Sequence, residues 1–198
     1  MPYLQEHNLI FIHIPKTGGS SIEKNLGIHR QWNHSKLIHK EESIINGIKT
    51  SPQHYTPNII KERLGDDVYN ECVKFTMVRN PYTRVLSEYF YINKRNRNLI
   101  AFEDWFNFYY STINHDHKLA QHLFVDETVD FIGRFETLQK DYSDLISTFN
   151  INVNPTLEIV NKTTHHSKDH INEIPTSIID KINLLYENDF IKFNYNFL

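Results

Sequence analysis

Two stretches of this chain combine basic, hydroxyl and small residues in an order suited to holding anions. The first, Pro15-Lys16-Thr17-Gly18-Gly19-Ser20-Ser21, follows the apolar run Leu9-Ile10-Phe11-Ile12-His13-Ile14. The second, Arg79-Asn80-Pro81-Tyr82-Thr83-Arg84-Val85-Leu86-Ser87-Glu88-Tyr89, follows Cys72-Val73-Lys74-Phe75-Thr76-Met77-Val78. Each reads as a strand running through a turn into a helix, which gathers backbone N–H groups and a cation where a phosphate could sit. Two such places imply a ligand with two phosphate positions.

The Gly18-Gly19 pair lets backbone approach an anion closely, and Lys16 adds a mobile positive charge. The order is not that of a Walker A loop, because the lysine precedes the glycines, and the second strand ends in Arg79 where a magnesium-holding carboxylate would stand. Arg79 leaves its strand just before a helix start and can add a fork of donors there. Ser87 lies two helical turns beyond Asn80, on the face that also carries Arg84, so a phosphate beside this helix could touch both Arg79 and Ser87. Taken alone, the second motif is equally a capping network in which Arg79 pairs with a carboxylate.

The elements that must position these groups follow from the apolar pattern. A strand is expected over 9–14 and a short helix over 20–26, closed by Gly27. Residues 29–51 read as a polar, histidine-rich surface excursion or short-helix region. Thr56 and Pro57 open a helix that stops at Gly65. A buried strand over 71–78 feeds a helix with Asn80 as N-cap and Pro81 at its first position. Tyr82, Val85, Leu86, Tyr89 and Phe90 form that helix's apolar face, with Arg84, Ser87 and Glu88 on the other. The aromatic run 102–110 predicts a core-packed helix. A third strand over 128–135 precedes amphipathic helices over 136–149 and 176–188.

The two motifs together, with Arg84-Val85-Leu86-Ser87-Glu88-Tyr89-Phe90-Tyr91, resemble the PAPS-dependent sulfotransferases, most closely the carbohydrate branch that includes heparan sulfate 2-O-sulfotransferases and small bacterial relatives. The resemblance implies a P-loop nucleotide-kinase-like fold and a donor, 3′-phosphoadenosine 5′-phosphosulfate (PAPS). Pro15, Lys16, Thr17, Gly18, Gly19, Ser20 and Ser21 would hold its 5′ side, and Arg79 and Ser87 its 3′-phosphate. Phe131-Ile132-Gly133-Arg134-Phe135-Glu136 resembles a segment before a late helix of that family. Asn161-Lys162-Thr163-Thr164 resembles the loop that closes over the nucleotide, which makes Lys162 and Thr163 further donor-binding candidates.

Sulfuryl transfer is an in-line displacement, so it needs a base for the acceptor hydroxyl and charge stabilisation at the leaving oxygen. Lys16 is the electrostatic partner. His54, in Gln53-His54-Tyr55-Thr56, resembles the catalytic histidine of the 2-O-sulfotransferase branch, and an imidazole suits proton transfer near neutral pH. His13 reads as structural, Glu23 as a reserve base. The chain has twelve histidines, but His34 and His39, His115 and His117, and His165, His166 and His170 lack the cysteines or helical His-Glu-x-x-His spacing of a zinc centre. They read as loop histidines, and the reaction scheme uses no metal. Trp32, Tyr55 and Tyr91 read either as sugar- or adenine-stacking rings or as core.

With 198 residues, the expectation is a single α/β domain over 1–198, with a mainly parallel central sheet flanked by helices. A net charge of −3 argues against nucleic acid as a partner. The single cysteine, Cys72, reads as a buried thiol. Without a membrane-length apolar run or a signal-peptide pattern, the expected location is cytoplasmic. The acceptor is expected to be a saccharide or another hydroxyl compound, and a homo-oligomer completing its cleft is compatible with the short chain. A magnesium-dependent small-molecule kinase and a non-catalytic nucleotide- or glycan-binding module remain the alternatives.

Overall fold

The computed structural model describes residues 3–28, 42–95, 100–110, 112, 115–160 and 167–198. In chain order its elements are β1 (Tyr3–Leu4), β2 (Leu9–Phe11), α1 (Gly19–Asn25), β3 (Ser43–Ile45), β4 (Ile48–Thr50), α2 (Pro57–Leu64) and α3 (Asp66–Glu71). Then follow β5 (Val73–Val78), α4 (Pro81–Arg95), α5 (Phe102–Asp104), β6 (Phe131–Arg134), α6 (Leu138–Thr148), α7 (Thr176–Leu185) and α8 (Glu187–Lys192).

The central sheet has the order β1-β2-β5-β6. β2 pairs in parallel with β5, with Phe11 opposite Phe75, and β5 in parallel with β6, with Val78 opposite Arg134. Only the β1 edge is antiparallel. The sheet is therefore mixed and mainly parallel, as expected for an α/β domain of this kind.

Because side chains alternate along a strand, β2 and β5 feed two cores. Leu9, Phe11, Phe75 and Met77 pack with Ile22 of α1 and Tyr142 and Leu145 of α6. Ile10 and Ile12 face the opposite layer, with Ile60, Tyr69 and Phe124. Burial of each large apolar side chain contributes about 1.5–3 kcal/mol, which fixes the ends of β2 and β5 where the two motifs begin. A third cluster joins Tyr82, Val85 and Leu86 of α4 to Trp105, Ile178 and Ile182.

Several local expectations change. The excursion contains a hairpin, β3 to β4, turning at Asn46 (φ 49°) and Gly47 (φ 76°). An Asn-Gly turn of that form suits the strand twist. Thr56 occupies the N-cap position of α2 but makes no side-chain cap. The aromatic run becomes one α-turn followed by a π-helix over Trp105–Tyr110, with Phe108 76% exposed rather than packed. The last helix is broken at Tyr186, which is drawn into the core to bond Tyr110 Oη and the Lys118 carbonyl. Among the described residues, no helix is long and apolar enough to cross a membrane.

Candidate active site

The turn after β2 is held from below. Ile12 N donates to the Phe75 carbonyl at 2.9 Å, and Thr76 Oγ1 donates to the Ile12 carbonyl at 2.7 Å. Lys16 then adopts a left-handed φ of 70°, a conformation costing a non-glycine residue on the order of 1–2 kcal/mol, and Gly18 follows at 90°. A Cβ at Gly19 would lie 2.1 Å from His13 Nε2, and one at Gly18 2.7 Å from Leu138 Cδ2. Gly19 is thus demanded by the His13 ring beneath the loop, and Gly18 by its positive φ. The hydroxyls of Thr17 and Ser21 are engaged internally, Thr17 donating to the Ile14 carbonyl at 2.9 Å and Ser21 accepting from Val160 N at 3.1 Å. Ser20 is half-buried.

The polar face of α4 is turned against this loop. Asn80 Oδ1 accepts from Tyr82 N at 3.0 Å, as an N-cap does. Arg84, Glu88 and Tyr91 recur at i, i+4 and i+7 along α4 and so form one stripe. Arg84, 1% exposed, donates from Nε to the Pro15 carbonyl at 3.1 Å and from Nη2 to the carbonyls of His117 and Leu119 at 2.9 and 2.6 Å. Glu88 Oε2 lies 3.5 Å from Lys16 Nζ, and that ammonium sits 3.8 Å above the Tyr91 ring. Tyr91 therefore supports Lys16, and Tyr55 is core, at 1% exposure. Ser87 is half-buried beside the stripe.

Arg79 is 6% exposed at the end of β5. Its main chain is clasped by Gln121, which accepts from Arg79 N and donates to the Arg79 carbonyl, both at 2.8 Å. Its Nε donates to Thr83 Oγ1 and its Nη1 to the Lys16 carbonyl, each at 3.0 Å, and the guanidinium lies 3.8 Å over the Phe135 ring. Burial lowers its pKa to about 10, against the pull of the Glu136 carboxylate, so it stays cationic at neutral pH. The carboxylate reading of this motif is met elsewhere: Glu136 Oε1 accepts from Asn80 N at 2.8 Å. Arg79 thereby ties the two motifs together.

Beside the loop stands a group of imidazoles, each held by an acid. His54 Nδ1 donates to Asp116 Oδ2 at 2.8 Å, and the same oxygen accepts from Ser51 N at 3.0 Å. Both side chains are almost fully buried. Burial drives the His54 pKa down to about 4, with the Asp116 hydrogen bond opposing and the nearby His13 and His117 adding to the fall. Burial alone would raise the Asp116 carboxyl, yet its hydrogen bond and charge contact with His54 hold it well below the usual carboxylate range. The imidazole is neutral at neutral pH, and with Nδ1 donating to a carboxylate its lone pair is on Nε2.

His13 Nδ1 donates to Glu23 Oε1 at 2.7 Å, and Gln53 Nε2 donates to the same oxygen at 2.7 Å. The His13 ring meets His54 edge-on at 5.0 Å. His13 thus has the structural part expected of it, and Glu23 is its partner. His117 donates from Nδ1 to Glu88 Oε2 at 2.9 Å, and its ring lies 5.5 Å from that of His54. Burial would raise Glu88, but the His117 hydrogen bond and the charges of His117 and Lys16 hold it at about 2.

The fold places Arg79 against the Lys16 carbonyl, and His54 beside the His117 ring whose Glu88 partner also faces Lys16. It adds Asp116 and Gln121, which sequence reasoning missed, and gives Arg84, Glu88 and His117, read from sequence only as a helix's polar face and a loop histidine, partners in the site. The one signal for Asp116 and His117 was the His115-Asp116-His117 triplet itself. Lys162, Thr163, Trp32, His34, His39, His165 and His166 lie outside the described residues. Arg134 anchors the chain's end, donating from Nη2 to the Phe193 carbonyl at 2.6 Å.

An α/β sheet whose strand ends carry a cationic turn, a capped helix and an acid-held imidazole brings anion-holding and proton-accepting groups to one edge of the fold. Residues 3–196 match the sulfotransferase family, and the chain belongs to it. Membership carries sulfuryl transfer from a sulfonate donor to a hydroxyl-bearing acceptor. An uncharacterized protein of Archaeoglobus fulgidus is 26% identical over 91 residues, which make up 44% of this chain and 76% of that protein. No solved structure matches the chain significantly.

Proposed function

We propose that this protein transfers the sulfuryl group of PAPS to a hydroxyl of a saccharide-type acceptor and releases 3′-phosphoadenosine 5′-phosphate (PAP). The observation that carries the reading is the convergence of Lys16 and His54. Glu88 holds the Lys16 ammonium and the His117 ring, and that ring rests against His54.

The donor set fits such a nucleotide. Lys16 and the backbone of 15–21 face its 5′ side, while Arg79 and Ser87 of the second motif take the 3′-phosphate. Lys162 and Thr163 belong to the proposed closing loop. The donor supplies an activated sulfur–oxygen bond to phosphate, and the remaining work falls to this chain's residues. His54 Nε2 accepts the proton of the acceptor hydroxyl as its oxygen bonds to sulfur. Asp116 fixes the tautomer and stabilises the imidazolium that forms. Lys16, drawn from Glu88, neutralises the charge gathering on the phosphate oxygen that leaves.

Calorimetric titration with PAP and with ADP, each with and without Mg²⁺, tests the nucleotide assignment. A magnesium-independent preference for PAP is expected. A magnesium-dependent preference for ADP would redirect the reading to kinase chemistry, and PAP binding without turnover on any hydroxyl acceptor would leave a binding module.

A further inference from the structure

Next to the Lys16 turn, three groups of metal-ligating type are brought within reach of one ion. The ligand atoms of Glu88, His115 and His117 all lie within 4.8 Å of one another. They come from two parts of the chain, Glu88 from α4 and the histidines from the turn around Asp116. His117 Nδ1 already meets Glu88 Oε2 at 2.9 Å, and the His115 ring stands edge-on to that of His117 with 4.3 Å between centroids. Four-coordinate ligand atoms about 2.0–2.2 Å from zinc stand roughly 3.3 Å from each other, so closing the set asks for movements of about 1.5 Å or less. A second trio, His54, Asp116 and His117, meets the same criterion and shares His117.

We propose that Glu88, His115 and His117 form a binding site for a divalent transition-metal ion of the zinc type, and that its occupation inhibits the enzyme. Two imidazole nitrogens and one carboxylate oxygen select zinc, cobalt, nickel or copper over magnesium and calcium, which take all-oxygen sets. Three protein ligands leave a fourth position for water. Access is from solvent, because the His115 side chain is 52% exposed while Glu88 is 6% exposed. Inhibition follows from what the ion must take. It replaces the His117–Glu88 hydrogen bond beside the His54 ring and sets a double positive charge next to the imidazole that has to accept a proton.

The test is calorimetric titration of Zn²⁺ into metal-free protein, with Co²⁺ absorption as an optical record of the ligand field. Nucleotide is left out, so the result stands apart from the identity of the sulfonate donor. The wild type should bind one ion saturably and give the visible bands of cobalt in a low-coordinate nitrogen and oxygen site. His115→Ala should weaken that binding at least tenfold. His115→Asn should do the same while keeping an acceptor for His117 N, which His115 Nδ1 now supplies at 3.2 Å. In turnover assays both variants should remain active and lose zinc inhibition. Absence of saturable binding, or an affinity and cobalt spectrum unchanged in both variants, would overturn the proposal.

Discussion

Asp116 Oδ2 lies 2.8 Å from His54 Nδ1, although 62 positions separate the two residues in the chain. The contact decides which imidazole nitrogen holds the lone pair, and it places a permanent anion behind the proposed base. His54→Ala should leave PAP affinity intact and remove turnover, since a positioned general base contributes typically ~10²–10⁴-fold. Asp116→Asn should lower kcat by a comparable factor with little change in KM. Sulfated product measured by mass spectrometry on a saccharide panel reads both, and undiminished kcat in His54→Ala would place the base elsewhere.

Arg79 carries the 3′-phosphate assignment. Replacing it with alanine removes a charged hydrogen bond worth ~1.5–3 kcal/mol, so PAP affinity should fall by roughly ten- to a hundredfold. Ser87→Ala should cost about 1 kcal/mol by the same reasoning for a neutral donor. Because Arg79 also bonds the Lys16 carbonyl, thermal unfolding must accompany the titration. A folded Arg79→Ala protein with wild-type affinity for PAP would remove Arg79 from the nucleotide site.

Gly19 and His13 compete for one volume. Gly19→Ala should destabilise the protein by about 1–3 kcal/mol, the usual cost of overpacking. His13→Ala vacates the space, so the double variant should be less destabilised than the sum of the two single changes. Urea denaturation of all four proteins measures the coupling. Strict additivity would mean that Gly19 is required for some reason other than the imbedded imidazole.

Arg84 is a stability residue beneath the loop. Three carbonyls depend on its guanidinium, and Asp189 Oδ2 stands 4.0 Å from its Nη1 with no exposure to water. Truncating one partner of such a buried arrangement typically costs ~3–5 kcal/mol. Arg84→Met should therefore lower the urea midpoint far more than Ser87→Ala, and Arg84→Lys should recover little because one ammonium cannot reach all three acceptors.

Much of the local structure was legible because it depends on neighbours in sequence. Gly65 stops α2 and Gly27, at φ 72°, follows α1, as expected, and Asn80 with Pro81 starts α4. The apolar run before the second motif reads as a doubly covered strand because it is one, whereas the run over 9–14 is strand only at Leu9–Phe11, the rest passing into the turn. The hairpin at Asn46-Gly47 carried its own turn signal and was absorbed into a polar stretch. The split of the last helix at Tyr186 carried none, since it results from hydrogen bonds to Tyr110 and Lys118 across the core.

The sequence by itself marked the two strand-turn-helix motifs with Lys16 and Arg79, because residue order and short-range periodicity specify those directly, while the family and the candidate His54 came from the resemblance those motifs carry. Tertiary structure alone decided that α4 buries its polar face. A helical projection puts Arg84 and Glu88 on the polar face without saying what covers it, and their partners prove to be a carbonyl of the 15–21 turn and the Lys16 ammonium. It alone also chose Asp116 for His54 and Glu23 for His13. Charges are long-ranged and carry no periodicity, so which acid meets which base is settled only when the layers close and water is expelled between them.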